Sequence, residues 1–359
     1  MAGGRRFSRG LCHGPRSDHR PNDAARISHR GNRRPRDKVF KRELASNVIL
    51  QPANLDELSS MLADVHARGK KISAVDISVL NRVLEHKAED MTARVEAGIT
   101  LAELQKQLAL RGQWLPVDPP NPEGLSLGAL LATNVSGPRR FGYGTVRDYV
   151  IGIAVVLGDG RLVHSGGNVV KNVAGYDLMK LFIGSQGTLG VICEARFKLR
   201  PLPESEKFVE AGCAGLEEAD KLIETVLDSE LTPVVLDLHN LAERGHHLSL
   251  VVGFAGTDEE VEWQLSKAAE LGFSQPSSLD YEKEMGTENG SFHKVSVLPS
   301  KTVEVIRALK GAPFIARAGN GIIYHQGSRV ISEPERPNKL AQRLKEEFDP
   351  KHILPDLVL

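Results

Sequence analysis

Cysteine is scarce: 3 residues in 359, Cys12, Cys193 and Cys213, with no Cys-x-x-Cys pair. This excludes a zinc ribbon or an iron–sulfur cluster built from this chain alone, and it fits a reducing compartment. No apolar run approaches the roughly 18 residues that a membrane-spanning helix needs. Aromatic residues make up 5% of the chain, and no aromatic platform of the kind that stacks nucleic-acid bases accompanies its basic segment. The Gly-x-Gly pairs at 142, 158 and 319 meet Arg147, Val163 and Tyr324 where a dinucleotide fingerprint needs its third glycine. A phosphate-binding Gly-x-x-x-x-Gly-Lys-Ser/Thr is also missing, so neither a Rossmann dehydrogenase nor a P-loop ATPase is expected. His246 and His247 are adjacent, with His239 nearby; neighbours in a strand face opposite ways, so no metal site is expected.

What remains is an ordinary globular composition, 41% hydrophobic and 26% charged, with a formal net charge of zero. That balance hides an asymmetry. Residues 1–42 hold 13 of the 46 Lys and Arg but only Asp18, Asp23 and Asp37 among the acids. Arg, Gly, Pro and His dominate there without apolar periodicity, so residues 1–43 read as a disordered basic tail. A misplaced translation start explains it more simply than a nucleic-acid arm, and no nucleic-acid partner is expected.

Order begins near Asn47. Val48-Ile49-Leu50 reads as a strand, and Asn54 with Glu57 three residues on opens a helix ending at Gly69. Short strands follow at 83–85 and 92–95. Thr100 and Glu103 open a second helix with Leu101, Leu104 and Leu108 on one face. Tyr149 to Leu157 is a buried-strand run, Asp159-Gly160 a hairpin turn, and 191–199 a closing strand stopped by Pro201-Leu202-Pro203. A boundary near residue 204 divides the ordered chain into domains at 44–204 and 205–359. The second again mixes strands (234–238, 248–254) with helices (216–227, 258–271, 339–348). Without a regular βαβ repeat, both domains are expected to be α+β.

The densest signal is DPPNPEGLSLGALLATNVSGPRRFGYG, residues 118–144. Its glycines allow close backbone approach, and Ser126 can cap a short helix, which together suit a diphosphate cradle. A set of turns joining buried elements accounts for the composition equally well.

The run from Thr133 to Glu204 resembles the FAD-binding domain of the vanillyl-alcohol-oxidase (PCMH-type) flavoproteins. The string GGNVVKNVAGYDL, 166–178, is most similar to the FAD-binding subunits of bacterial glycolate oxidases. ARAGNGIIY and FDPKHILP look like that family's closing motifs. The resemblance implies a two-subdomain FAD-binding domain followed by a smaller α+β cap carrying substrate determinants. It places Gly128 and Ala129 under the diphosphate, Asn134, Ser136 and Gly137 beside the flavin ring and its ribityl chain, and Arg140, Tyr143 and Gly144 just after. Gly190, Val191 and Ile192 fall at the adenine end. Lys171, Asn172, Gly175, Tyr176 and Asp177 match the subunit signature. Arg139-Arg140, Lys171 and His325 are further candidates for the substrate; no catalytic base is identified.

One departure stands out. The family's first glycine-rich loop follows its first helix, yet no glycine occurs between Gly69 and Gly98. Deleting that loop removes roughly half the backbone donors expected around the phosphates, each worth about 1.5–3 kcal/mol. It also removes the position of the linking histidine in covalent relatives, so FAD is expected to be non-covalent and its retention to be most at risk here. The resemblance implies a subunit of a 2-hydroxy-acid oxidase or dehydrogenase, in which FAD accepts electrons from a small hydroxy acid. Its implied partners are a larger catalytic FAD subunit and an iron–sulfur subunit. A cytoplasmic setting, peripheral to the inner face of the membrane through that complex, goes with them. The alternative is a flavin-deficient structural or assembly subunit of the same complex.

Overall fold

Local signals set the first elements of the computed structural model, which describes residues 48–167, 177–241, 248–284, 293–326 and 339–356. All lie in the unit Ser46–Leu359; the basic tail expected at 1–43 lies outside them. Asn54 accepts a hydrogen bond from the Glu57 amide at the start of α1 (Leu55–Arg68), and Gly69 ends it at φ 59°. β1 (Val48–Leu50) pairs in parallel with β2 (Ile72–Val75). Then come β3 (Val83–Lys87), β4 (Thr92–Glu96), α2 (Leu101–Ala109), β5 (Gln113–Trp114), α3 (Leu127–Thr133) and α4 (Arg140–Tyr143). β6 (Val150–Val156), β7 (Leu162–Gly166), α5 (Met179–Phe182) and β8 (Val191–Lys198) complete the first half.

β3, β4, β8, β6 and β7 form an antiparallel sheet in that order. Its inner face, with Val95, Ile153, Val155 and Phe197, packs on Leu104 and Leu108 of α2 and Leu127, Leu130 and Leu131 of α3. The apolar spacing read from the sequence at Leu101, Leu104 and Leu108 is therefore the core-facing stripe of α2.

β9 (Arg200–Pro201) pairs with β5 and leads into β10 (Ser205–Cys213). The rest comprises α6 (Leu216–Asp228), β11 (Val235–His239), β12 (Leu248–Gly256), α7 (Asp258–Glu270), β13 (Gln275–Pro276), α8 (Tyr281–Glu284), β14 (His293–Ser296), α9 (Thr302–Ala308), β15 (Phe314–Arg317), β16 (Ile322–His325) and α10 (Lys339–Phe348). The strands run β13-β10-β12-β11-β15-β16-β14 in an antiparallel sheet. Leu236, Leu238, Leu250, Phe254, Phe314 and Ile323 pack on the helices from one face. Strand alternation sends Asp237, Val251, Arg317 and Tyr324 to the other. Both halves mix helices with antiparallel sheet, the α+β class expected.

The C-terminal segment returns to the first half. Ile353 and Leu354 are buried with Leu58, Leu62 and Ile72, and Phe348 meets Phe182 edge to face at 5.4 Å. Lys345 is almost fully buried. Its Nζ donates to Asp349 at 2.6 Å and to the carbonyls of Thr188, Leu354 and Pro355. Asp349 in turn accepts from the amides of Ile353 and Leu354.

Candidate flavin site

β2, the connection after it, the start of α3 and the start of β8 enclose a crevice of about 220 Å³. Gly128, Ala129, Gly190, Val191 and Ile192 all line it, together with Ile72, Val75 and Ile77. Sequence positions 62 residues apart thus line one crevice. The amides there are already engaged. Leu127 donates to the Ile99 carbonyl at 2.9 Å, Gly128 to the Ala97 carbonyl at 2.7 Å, and Ala129 to Ser126 Oγ at 3.2 Å.

The course of the connection between β2 and β3 explains why so little space is left. Residues after β2 fold straight onto Gly98, where a Cβ would stand 2.0 Å from the Ile77 carbonyl oxygen, and Gly98 donates to the Leu80 carbonyl at 2.7 Å. Ile77 Cδ1 would lie 3.4 Å from a Cβ on Gly128. A branched apolar side chain therefore covers the glycine. The lining contains no lysine, arginine or histidine.

The next predicted residues have distinct settings. Asn134 closes α3 in the left-handed region at φ 50°, and its Oδ1 is buried without a hydrogen-bond partner among the described residues. Gly137 is required by packing, since a Cβ there would stand 1.9 Å from the Asp118 carbonyl oxygen. Arg139 donates to both carboxylate oxygens of Glu206, at 2.6 and 2.5 Å, and to Asp118 at 3.1 Å. The Arg140 guanidinium donates to the buried Ser136 at 3.3 Å, its one side-chain hydrogen bond among the described residues. Tyr143 sits elsewhere: its ring meets Trp114 edge-on at 5.4 Å and lies 5.7 Å below the Arg200 guanidinium. It lines a separate groove of about 660 Å³ with Phe141, Leu227 and Pro233. Gly144 turns at φ 83° against Asp148. Of the signature residues, Lys171, Asn172, Gly175 and Tyr176 lie outside the described residues, and Asp177 pairs with Lys180 at 3.0 Å.

The polar face of the larger sheet supplies a cluster that sequence reading missed. Asp237 is fully buried, receives the Tyr281 hydroxyl at 2.7 Å and pairs with Arg317, whose other arm reaches Glu282 at 2.7 Å. Arg317 also lies 5.7 Å from the Tyr324 ring. Burial pushes the Asp237 carboxyl up to about 7 against the pull of Arg317, and the Asp118 carboxyl up to about 6 against Arg139. The signal available beforehand was a lone aspartate inside an otherwise apolar strand. His239 joins this face, stacked on Tyr281 at 4.5 Å. His325 does not: it pairs with Phe314 in register, toward the helices, and is fully buried. His246 and His247 lie outside the described residues. Among the described residues no group of three or more His, Cys, Asp or Glu side chains could hold a metal ion, and no helix is long and apolar enough to cross a membrane.

Set against FAD, the apolar crevice bounded by glycine backbone at 128 and 190, with the orphaned Asn134 carbonyl beyond, suits the uncharged parts of a dinucleotide. The diphosphate meets neither a cation nor a spare α3 amide there. Pockets that enclose a whole cofactor run from about 300 to 1,000 Å³, so a crevice of about 220 Å³ holds part of the molecule.

Residues 59–166 match the FAD_binding_4 family, described as an FAD binding domain. Over 158 residues the chain is 36% identical to glycolate oxidase subunit GlcD of Bacillus subtilis strain 168, covering 44% of this chain and 34% of that protein. It is 36% identical over 132 residues to glycolate oxidase subunit GlcE of Escherichia coli K12, covering 36% and 38%. It is 33% identical over 181 residues to a D-lactate dehydrogenase of Archaeoglobus fulgidus, covering 45% and 41%. The chain thus matches between about a third and two fifths of the length of these relatives. Among solved structures, alkyldihydroxyacetonephosphate synthase superposes with a TM-score of 0.64 at 19% identity, over 86% of this chain and 77% of that one, which establishes a shared fold. Residues 59–166 therefore carry an FAD binding domain, and the chain is similar over 36–45% of its length to glycolate oxidase subunits and a D-lactate dehydrogenase.

Proposed function

We propose that this chain is the FAD-binding subunit of a 2-hydroxy-acid oxidase or dehydrogenase of the glycolate type, which passes electrons to an iron–sulfur subunit. The observation that carries this reading is the polar sheet face. Asp237, Arg317, Tyr324 and Lys294 share one side of the second sheet, with the Arg317 guanidinium 5.7 Å from the Tyr324 ring. Relatives named for glycolate, D-lactate and D-2-hydroxyglutarate all take small α-hydroxy carboxylates, and such a substrate needs a cationic, partly dry surface.

FAD, when bound, accepts the two electrons released from the carbon bearing the hydroxyl. The chain's own residues bind and orient. Gly128, Ala129 and 190–192 supply the wall of the cofactor crevice, Asn134 and Ser136 the stretch leading to the ring, and Arg140 a charge at the substrate side. The paired Arg317 is held rigid by Asp237 and Glu282. With three cysteines in the chain and no group of three or more metal-ligating side chains among the described residues, the iron–sulfur and larger FAD subunits of a glycolate-oxidase-like complex take the electrons onward.

Ile77 over Gly128 favours a second reading, a flavin-poor assembly subunit of the same complex. The two are separated by purifying the full chain alone and with its partner subunits, recording the visible spectrum, and adding glycolate, D-lactate or D-2-hydroxyglutarate without oxygen. Flavin absorbance bleached by one of these acids supports the enzyme. A colourless chain that still assembles supports the scaffold.

A further inference from the structure

The groove of about 660 Å³ beside Tyr143 runs from α4 to the ends of α6 and β12 and shares no lining residue with the crevice at Gly128. Its floor is apolar: Val226, Leu231, Pro233 and Val234 are buried along it. Its lips are apolar as well but open to solvent, with Leu227 49% and Leu202 41% exposed. Trp263, 44% exposed, follows Glu260 of the groove by one turn of α7 and adjoins Gln264, which donates to Thr232 of the groove at 2.7 Å. Large apolar side chains exposed together within a polar rim mark a surface that another molecule covers. That rim is acidic. Glu204 and Glu260 line the groove, Asp228 and Glu230 flank the stretch between Leu227 and Leu231, and Asp258 and Glu259 follow Thr257. All six carboxylates are exposed and none forms an ion pair among the described residues, whereas Glu206, Glu217 and Glu270 nearby in sequence do. The acids of α7 are accounted for by that helix, since they stand at its positive end and Glu260 closes a capping box with Thr257. Asp228 and Glu230 are not: they stand at the negative end of α6, whose last turn carries no basic residue, and so destabilise the empty protein.

We propose that this groove is the docking surface for a basic amphipathic segment of a partner protein, whose aliphatic or aromatic anchors enter between Leu202 and Leu227 and whose lysines or arginines face Asp228, Glu230 and Glu204. Charge complementarity selects this occupant. The rim repels nucleic acid and anionic lipid, and a small anion would meet one arginine, Arg200, among six carboxylates. An apolar helix face laid into a groove, with charges of opposite sign along its flanks, is a recurrent mode of recognition. Because the lining comes from α4 of the first half and from α6 and β12 of the second, the occupant touches both halves. Docking needs neither FAD nor substrate, so it stands apart from the catalytic reading.

The test titrates the full chain by calorimetry with a helical peptide of leucine and lysine, and with its analogue carrying glutamate in place of lysine. The lysine peptide is expected to bind, more weakly as salt is raised, and the glutamate peptide not to bind. Leu227→Ser is expected to weaken binding about tenfold, and Asp228→Asn combined with Glu230→Gln to weaken it about tenfold. Glu217→Gln combined with Glu218→Gln, at the opposite end of α6, is expected to leave binding unchanged, which separates the groove from a general attraction between opposite charges. Asp228→Asn is also expected to keep or raise the unfolding midpoint, which a merely structural carboxylate would not do. Absence of binding, equal binding by the groove variants and the parent, or preference for the glutamate peptide overturns the proposal. So does a dimer of the parent chain that Leu227→Ser dissociates, which assigns the groove to a second copy instead.

Discussion

The amide of Gly142 donates to the carbonyl of Val234 at 3.1 Å, and a Cβ on Gly142 would stand 2.6 Å from the Val234 Cα. Helix α4 of the first half thus touches the entry of β11 backbone to backbone. Arg139 and Arg140 lie beside this contact, so it also holds the charged loop against the polar sheet face.

Gly142→Val is expected to force the two backbones apart. Overpacking of this kind costs about 1–3 kcal/mol, read as a lower denaturation midpoint in urea. An unaltered midpoint would show that the contact adapts freely.

Lys345 ties α10 to Thr188, Asp349 and the C-terminal carbonyls. Lys345→Ala leaves the Asp349 carboxylate buried without its partner, at a cost of about 3–5 kcal/mol. The variant should become sensitive to protease near residues 339–356 before the rest of the chain unfolds. Equal resistance in both proteins would count against a pinning role.

Ile77→Ala opens the space above Gly128. If relief of that crowding is worth about 1.4 kcal/mol, FAD affinity rises roughly tenfold, measured by quenching of flavin fluorescence. Equal or weaker binding would mean that the side chain does not restrict the cofactor.

Asp118 and Asp237 give stability a pH slope. Burial raises both carboxyls, to about 6 and about 7, above the ordinary 3.8. The folded protein therefore holds these protons more tightly than the unfolded chain, and their contribution is present at low pH and declines as pH rises from about 4 to about 7. Asp118→Asn removes one titration and should flatten the slope by at most about 1.4 kcal/mol per pH unit, compared by urea unfolding at pH 4.5 and 7.5. Parallel curves for variant and parent would contradict the assignment.

Local chemistry was readable in advance. The Asn54 and Thr100 caps, the leucine stripe of α2 and the strand at 150–156 stand where spacing placed them, because caps and periodicity act over a few residues. The stretch without glycine stands over the short connection after β2, and the glycines at 128 and 190 line one crevice. What occupies that crevice was not readable: Ile77 reaches Gly128 only because Gly98 admits the folded-back chain. The division of labour within Arg139-Arg140 was hidden as well. Adjacent arginines are equivalent in a string of letters, and only the arrival of Glu206 and Asp118 beside one and Ser136 beside the other distinguishes them. Composition and periodicity determined the class of fold, and motif resemblance pointed to an FAD-binding domain. Long-range packing decided which charges are neutralised and which stay available, because an ion pair depends on distances across the fold that no local spacing encodes.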